Sequence, residues 1–187
     1  ANIEVGFSQG VKAMLRQDPD IIMIGEIRDL ATADMAIQAA LTGHLVLSTL
    51  HTNDAPTAIT RLIDLGVEPF LVAATCEGVI GQRLVRTICP DCKVSYAPPQ
   101  EEPLELNLTE EQVQGQTFCY GKGCEKCNNT GYRGRTAIYE IMLLTDELKD
   151  LIMMQVSTNE VQRAARRAGM QPLRQAGLTK IFDGRTT

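Results

Sequence analysis

Two pairs of cysteines stand at the spacing of a metal knuckle, Cys89-Pro-Asp-Cys92 and Cys124-Glu-Lys-Cys127. A closed tetrahedral zinc site of four thiolates needs two such knuckles brought face to face. The same residues could instead form two independent redox or structural pairs. The stretch between the pairs is rich in Pro and Gly and short of apolar residues, so it cannot carry a large core and needs a staple, which favours Zn²⁺. Cys119, between Phe118 and Tyr120, reads as a small apolar group on a strand. Cys76 follows Val72, Ala73 and Ala74 and reads as a core thiol on a helix. Paired C-x-x-C in a chain whose first residues, Ala1-Asn2-Ile3-Glu4, carry no secretory pattern predicts a reducing compartment, the cytoplasm.

A second chemistry is carried by Glu26 and His51. Glu26 follows the apolar run Ile21-Ile22-Met23-Ile24 and Gly25, and His51 follows the run Leu45 to Thr49. Both runs read as strands. If the strands are parallel, both side chains leave the sheet at its carboxyl rim, where open α/β sheets bind ligands. A solvated turn at Glu26-Ile27-Arg28-Asp29 is the bland alternative. His44, the other histidine, opens the second strand. Extended chain from His44 to His51 spans on the order of 20 Å, so the two cannot share a metal, and His44 reads as structural. Arg83 and Arg86 lie in Gly81-Gln-Arg-Leu-Val-Arg86, where a guanidinium could reach a phosphate or stay solvated.

The elements that must position these groups follow from periodicity and caps. Val11, Met14 and Leu15 predict a short helix from Ser8, closed before Asp18-Pro19. The Ile21–Ile24 run, wholly apolar, predicts a strand buried on both faces. Asp29 is an N-cap for a helix through Leu41, with Gly43 at its C-terminal end. Asn53 or Asp54 caps the next helix, which Gly66 closes, and a further helix covers about Pro69 to Cys76. Gly78 and Gly81 should loosen the chain before a third strand over Leu84–Ile88. Strand, helix, strand, helix predicts an α/β fold with a parallel, doubly wound sheet. From Cys89 to about Arg135 the periodicity lapses, with an acidic patch at Glu101-Glu102. Thr136–Leu144 returns as a strand. Thr145 or Asp146, the Ser157/Glu160 capping box and Pro172 start three closing helices. The expected segments are 1–88, 89–135 and 136–187.

The bulk properties exclude some classes. Hydrophobic residues make up 44% and charged residues 22% of the 187, ordinary for a globular protein. A net charge of −5 argues against nucleic acid as a partner. No apolar run approaches the ~20 residues that span a bilayer.

Asp18-Pro-Asp-Ile-Ile-Met-Ile-Gly-Glu-Ile-Arg-Asp29 resembles the Walker B region of the secretion ATPase superfamily, and Thr42-Gly-His-Leu-Val-Leu-Ser-Thr-Leu-His-Thr52 resembles its His box. The paired cysteines with Gly131-Tyr-Arg-Gly-Arg135 resemble the tetracysteine insert of type II secretion ATPases and type IV pilus assembly (extension) ATPases. The Gly115-Gln-Thr-Phe118 approach and the Ala164 to Leu173 segment lean toward pilus assembly. The resemblance implies a RecA-like P-loop ATPase core, a zinc insert and a C-terminal helical subdomain. It implies a homo-hexamer, cytoplasmic and peripheral at the inner membrane, working on platform proteins of the pilus or secretion machine. Glu26 would orient the attacking water and serve any Mg²⁺ through water; His51 would contact the γ-phosphate of ATP; Gly25 and Arg83 would lie at the nucleotide. No G-x-x-x-x-G-K-[ST] occurs in the chain, so the phosphate cradle is expected before Ala1 and the chain alone is expected to be inactive. A zinc-stapled protein-binding module without catalysis is the alternative.

Overall fold

The computed structural model describes residues 17, 19–99 and 108–187. The helix expected from Ser8 and the acidic patch at Glu101-Glu102 lie outside these residues. The described chain runs β1 (Ile21–Ile24), α1 (Leu30–Leu41), β2 (Leu45–Ser48), α2 (Ala55–Asp64), α3 (Pro69–Thr75), β3 (Gly78–Ile88), β4 (Lys93–Tyr96), α4 (Glu110–Val113), β5 (Phe118–Gly121), a 3₁₀ turn (Glu125–Cys127), β6 (Tyr132–Leu143), α5 (Asp146–Met153), α6 (Thr158–Arg167) and α7 (Leu173–Phe182). It divides into two compact units, one of residues up to 81 with 141–170, the other of 82–140 with 171–187.

In the first unit β1 and β2 pair in parallel, Ile21 opposite Leu45 and Ile24 opposite Ser48. The α1 connection between them starts where Asp29 accepts the Thr32 amide at 2.8 Å and ends at Gly43, whose φ of 96° suits only a residue without Cβ. Ile22 and Ile24 are buried against Ala36 and Ala39 of α1, each worth about 1.5–3 kcal/mol. The expectation of a strand buried on both faces fails here. Ile21 and Met23 are 60% and 73% exposed, because α1 covers one face and alternate side chains point to the other. The main core gathers Ile37, Ile59, Val72, Met142, Leu148, Ile152 and Val161 from α1, α2, α3, β6, α5 and α6. The helix caps are local: Asp54 accepts the Thr57 amide at 2.8 Å, Thr145 the Leu148 amide, and Ser157 with Glu160 forms the capping box.

β3 begins at Gly78 and β6 at Tyr132, both earlier than the sequence suggests. The two strands pair, and the bonds Leu144 N–H to Glu77 O and Cys89 N–H to Gly131 O at their two ends make the pairing antiparallel. Gly78 and Gly81 are therefore ladder residues. A Cβ on Gly78 would meet Met142 O at 3.1 Å, so the glycine serves a close approach within the ladder.

The second unit holds the antiparallel pair β4–β5, with Lys93 opposite Gly121 and Tyr96 opposite Phe118. Phe118 stands edge-on to Tyr96 and to Phe182 of α7, at centroid distances of 6.3 and 5.7 Å, over a core that includes Ile88, Ile138 and Leu178. The N-terminus of α7 has no side-chain cap of its own. Glu140, buried at 3% exposure, accepts the Leu173 amide at 2.9 Å instead. A carboxylate there also meets the positive end of the helix dipole.

Candidate functional site

Because β1 and β2 are parallel and in register, the chains leaving Ile24 and Ser48 emerge on one rim. Two bonds tie these exits together. Ile27 N–H donates to Thr49 O at 3.0 Å, and the Thr49 hydroxyl donates to Gly25 O at 2.7 Å. The result sets His51 Nε2 3.1 Å from Glu26 Oε2. Arg28 holds the other carboxylate oxygen in an ion pair. The imidazole is largely exposed and the carboxylate half-buried. The Arg28 guanidinium, helped by His51, keeps Glu26 below the usual carboxylate range despite some desolvation. Glu26 is thus an ionised, oriented acceptor with open access to water.

The sequence places Glu26 and His51 here but gives no part to Arg28, whose signal is an opposite charge two residues from Glu26. His44 lies at the start of β2, its Nδ1 3.0 Å from both Ala39 O and the Thr42 hydroxyl, which locks the turn out of α1. Gly25 has open space where a Cβ would stand. Arg83 sits at an exposed position of β3, within the second unit.

In the second unit Cys89, Cys92, Cys124 and Cys127 converge, all four sulfurs within 4.8 Å of one another. Cys89 to Cys124 and Cys92 to Cys127 are 3.9 Å apart, and Cys124 to Cys127 3.7 Å. A tetrahedron with metal–sulfur bonds of ~2.3 Å has edges of roughly 3.8 Å. The sulfurs fit that figure. Burial opposes ionisation of Cys127, but the backbone N–H groups of Cys124 and Gly131 overcome it and bring its thiol down to about 6. Burial and the neighbouring thiols push Cys92 up to about 12. Four sulfurs this close cannot all ionise without a cation among them, so the cluster could hold a metal ion. Backbone hydrogen bonds hold the chain around the cluster. Cys89 N–H donates to Gly131 O at 2.9 Å and Lys122 N–H to Cys92 O at 3.0 Å, while Asn128 and Asn129 take left-handed φ values of 51° and 58° to close the second knuckle.

Asp91, inside the first knuckle, is held below the usual carboxylate range by Lys126 of the second, with Arg133 adding to it. Cys119 stays outside the cluster, buried and 3.6 Å from the Ser95 hydroxyl. Cys76 caps α3 in an extended conformation rather than lying within the helix, and burial raises its thiol above the ordinary value.

The fold that carries this rim is that of the RecA-like secretion ATPases. The pilus retraction motor PilT with bound ADP superposes with a TM-score of 0.65 at 26% identity, over 97% of this chain and 41% of PilT. The Legionella pneumophila ATPase DotB does so at 0.63 and 25% identity, over 97% of this chain and 40% of DotB. The chain belongs to the family described as Type II/IV secretion system protein, which matches residues 1–187.

Among its relatives, the type IV pilus assembly ATPase TfpB of Acinetobacter baylyi is 54% identical over the whole chain, which covers 32% of TfpB. The type IV pilus assembly ATPase PilB of Thermus thermophilus is 52% identical over 97% of the chain and 20% of PilB. The type II secretion system protein E of Pseudomonas aeruginosa is 47% identical over the whole chain and 37% of that protein. The chain therefore spans 20% to 37% of the length of these relatives. Among the described residues no helix is long and apolar enough to cross a membrane.

Proposed function

We propose that the chain is the C-terminal part of a hexameric ATPase that powers assembly of a type IV pilus or a type II secretion pseudopilus. The observation that carries this reading is the Glu26–His51 pair on the common rim of β1 and β2. Identities of 54% and 47% to the Acinetobacter pilus ATPase and the Pseudomonas secretion protein favour the pilus. In this reading Glu26 is the base-side carboxylate that orients the attacking water. Arg28 keeps it ionised and aimed. His51 senses the terminal phosphate from beside it. Gly25 leaves the rim open for close approach. ATP with Mg²⁺ supplies the transferable phosphoryl group and the charge that draws these side chains. The residues present fit the water-activating side of such a site. They do not include the backbone cradle and Lys that hold phosphates.

The four-cysteine cluster holds Zn²⁺ as a structural ion. A closed thiolate set leaves no position for water, so its task is to staple segment 89–135 between the ATPase core of 1–88 and the returning strand and helices of 136–187. The working protein is cytoplasmic, peripheral at the inner membrane, and acts on the machine's platform proteins, with no nucleic acid partner.

Glu26→Gln in the full-length protein should abolish ATP turnover and leave nucleotide binding largely intact, because the carboxylate acts on water and not on the bound phosphates. The 187-residue chain alone should show no ATP affinity in the micromolar range by calorimetry. Turnover near normal in the Gln variant would leave the reading of a zinc-stapled binding module in possession of the data.

A further inference from the structure

The two cysteine knuckles are joined by a link that involves no sulfur–sulfur contact. Asp91 lies between Cys89 and Cys92, and Lys126 between Cys124 and Cys127. Lys126 Nζ donates to Asp91 Oδ1 at 2.5 Å. Arg133 Nη1 stands 3.8 Å from Asp91 Oδ2, and that same oxygen is 3.9 Å from Cys89 Sγ. The carboxylate is 32% exposed, the two cations about twice that.

This placement is odd for a carboxylate. Four thiolates around a divalent cation carry a net charge of −2, and a further anion in contact with one of the sulfurs is repelled. The arrangement becomes favourable only when cations hold the carboxylate from the other side. One comes from the opposite knuckle, the other from the start of β6. The knuckles themselves are 35 residues apart in the chain, so whatever joins them opposes the loop entropy that separates them.

We propose that the Asp91–Lys126 ion pair, backed by Arg133, is a clamp that positions the two knuckles around the bound metal and slows its loss. A closed four-thiolate site has no open coordination position, so metal leaves when the knuckles part. The ion pair lies across that opening. Asp91 and Lys126 are positioning residues and not ligands. An exposed ion pair contributes little to global stability, so the clamp shows in metal release more than in folding. The proposal rests on the zinc reading above.

The test uses the 187-residue chain loaded with Zn²⁺, with release followed by an excess of a chromogenic chelator at fixed pH. Asp91→Asn and Lys126→Met should each speed release about tenfold, the low end for groups that support metal ligands. The double variant should release no faster than either single one. Release from the unsubstituted chain should also accelerate as KCl rises from about 0.05 to about 1 M, as screening shortens the reach of the pair. Unchanged rates in the single variants, or effects that multiply in the double variant, would each overturn the clamp. If the variants load no zinc, the salt series decides: a rate flat in KCl overturns it. An unsubstituted chain that holds no zinc sinks the zinc reading and the clamp together, whereas a loaded chain indifferent to all substitutions sinks the clamp alone.

Discussion

Among the described glycines, Gly121 is the one whose added Cβ meets the closest atom, which makes Gly121→Ala a sharp test. Gly121 ends β5 and leads into the second knuckle. A Cβ built on it would lie 2.0 Å from Gly131 O and 2.7 Å from Gly131 C and Cα. Ordinary carbon–oxygen contacts begin near ~3.3 Å, so one backbone must retreat by roughly an ångström. Gly131 cannot retreat freely, because its carbonyl accepts the Cys89 amide at 2.9 Å. Any shift there is passed to the knuckle four residues away that holds Cys127. Metal sites tolerate errors of only about 0.2 Å in ligand distance. The expected loss in zinc affinity is therefore about 10- to 100-fold, with about 1–3 kcal/mol of overpacking strain in the second unit. Competition against a chelator of known affinity reads the first effect. Thermal melting reads the second, at about 4–8 °C per kcal/mol for a unit of this size. Gly25→Ala is the control: nothing lies within 4 Å of its added Cβ, and stability should be unchanged. If Gly121→Ala binds zinc as tightly as the unsubstituted chain, the close approach does not shape the metal site and the argument fails.

Two further outcomes can be checked on the same chain. Cys124→Ser should lose the metal and expose residues 89–135 to protease while the first unit, with its own core, resists; Cys119→Ser should keep the metal, since its sulfur lies outside the cluster. The reverse pattern in metal analysis would show that the wrong cysteine was placed among the ligands. Glu140→Ala should cost about 1–3 kcal/mol by leaving the part-buried Leu173 amide without its acceptor, read as a lower melting temperature with faster amide exchange at the start of α7. Unchanged exchange there would refute the remote cap.

Much of the fold is written in short-range chemistry. The caps at Asp29, Asp54, Thr145 and Ser157 lie within three residues of the amides they bind, so they can be read from the chain in order. The spacing of Cys89-Cys92 and Cys124-Cys127 is likewise local, and it names the knuckles before any fold is known. The apolar runs Ile21–Ile24 and Leu45–Ser48 announce strands, and a parallel pairing then puts Glu26 and His51 on one rim. Other features depended on where the chain returns. β3 includes Gly78 and Gly81 because β6 supplies a ladder for them. Ile21 and Met23 stay exposed because α1 covers only one face. Thr49 becomes the buckle between two loops only once β1 and β2 lie side by side, whereas the Arg28–Glu26 pair, two residues apart, is local. Glu140 caps a helix 33 residues away, and Asp91 meets Lys126 across 35. Hydrogen bonds and ion pairs between distant residues leave no periodicity in the sequence, because their geometry is set by the backbone that brings them together and not by the neighbours of either residue.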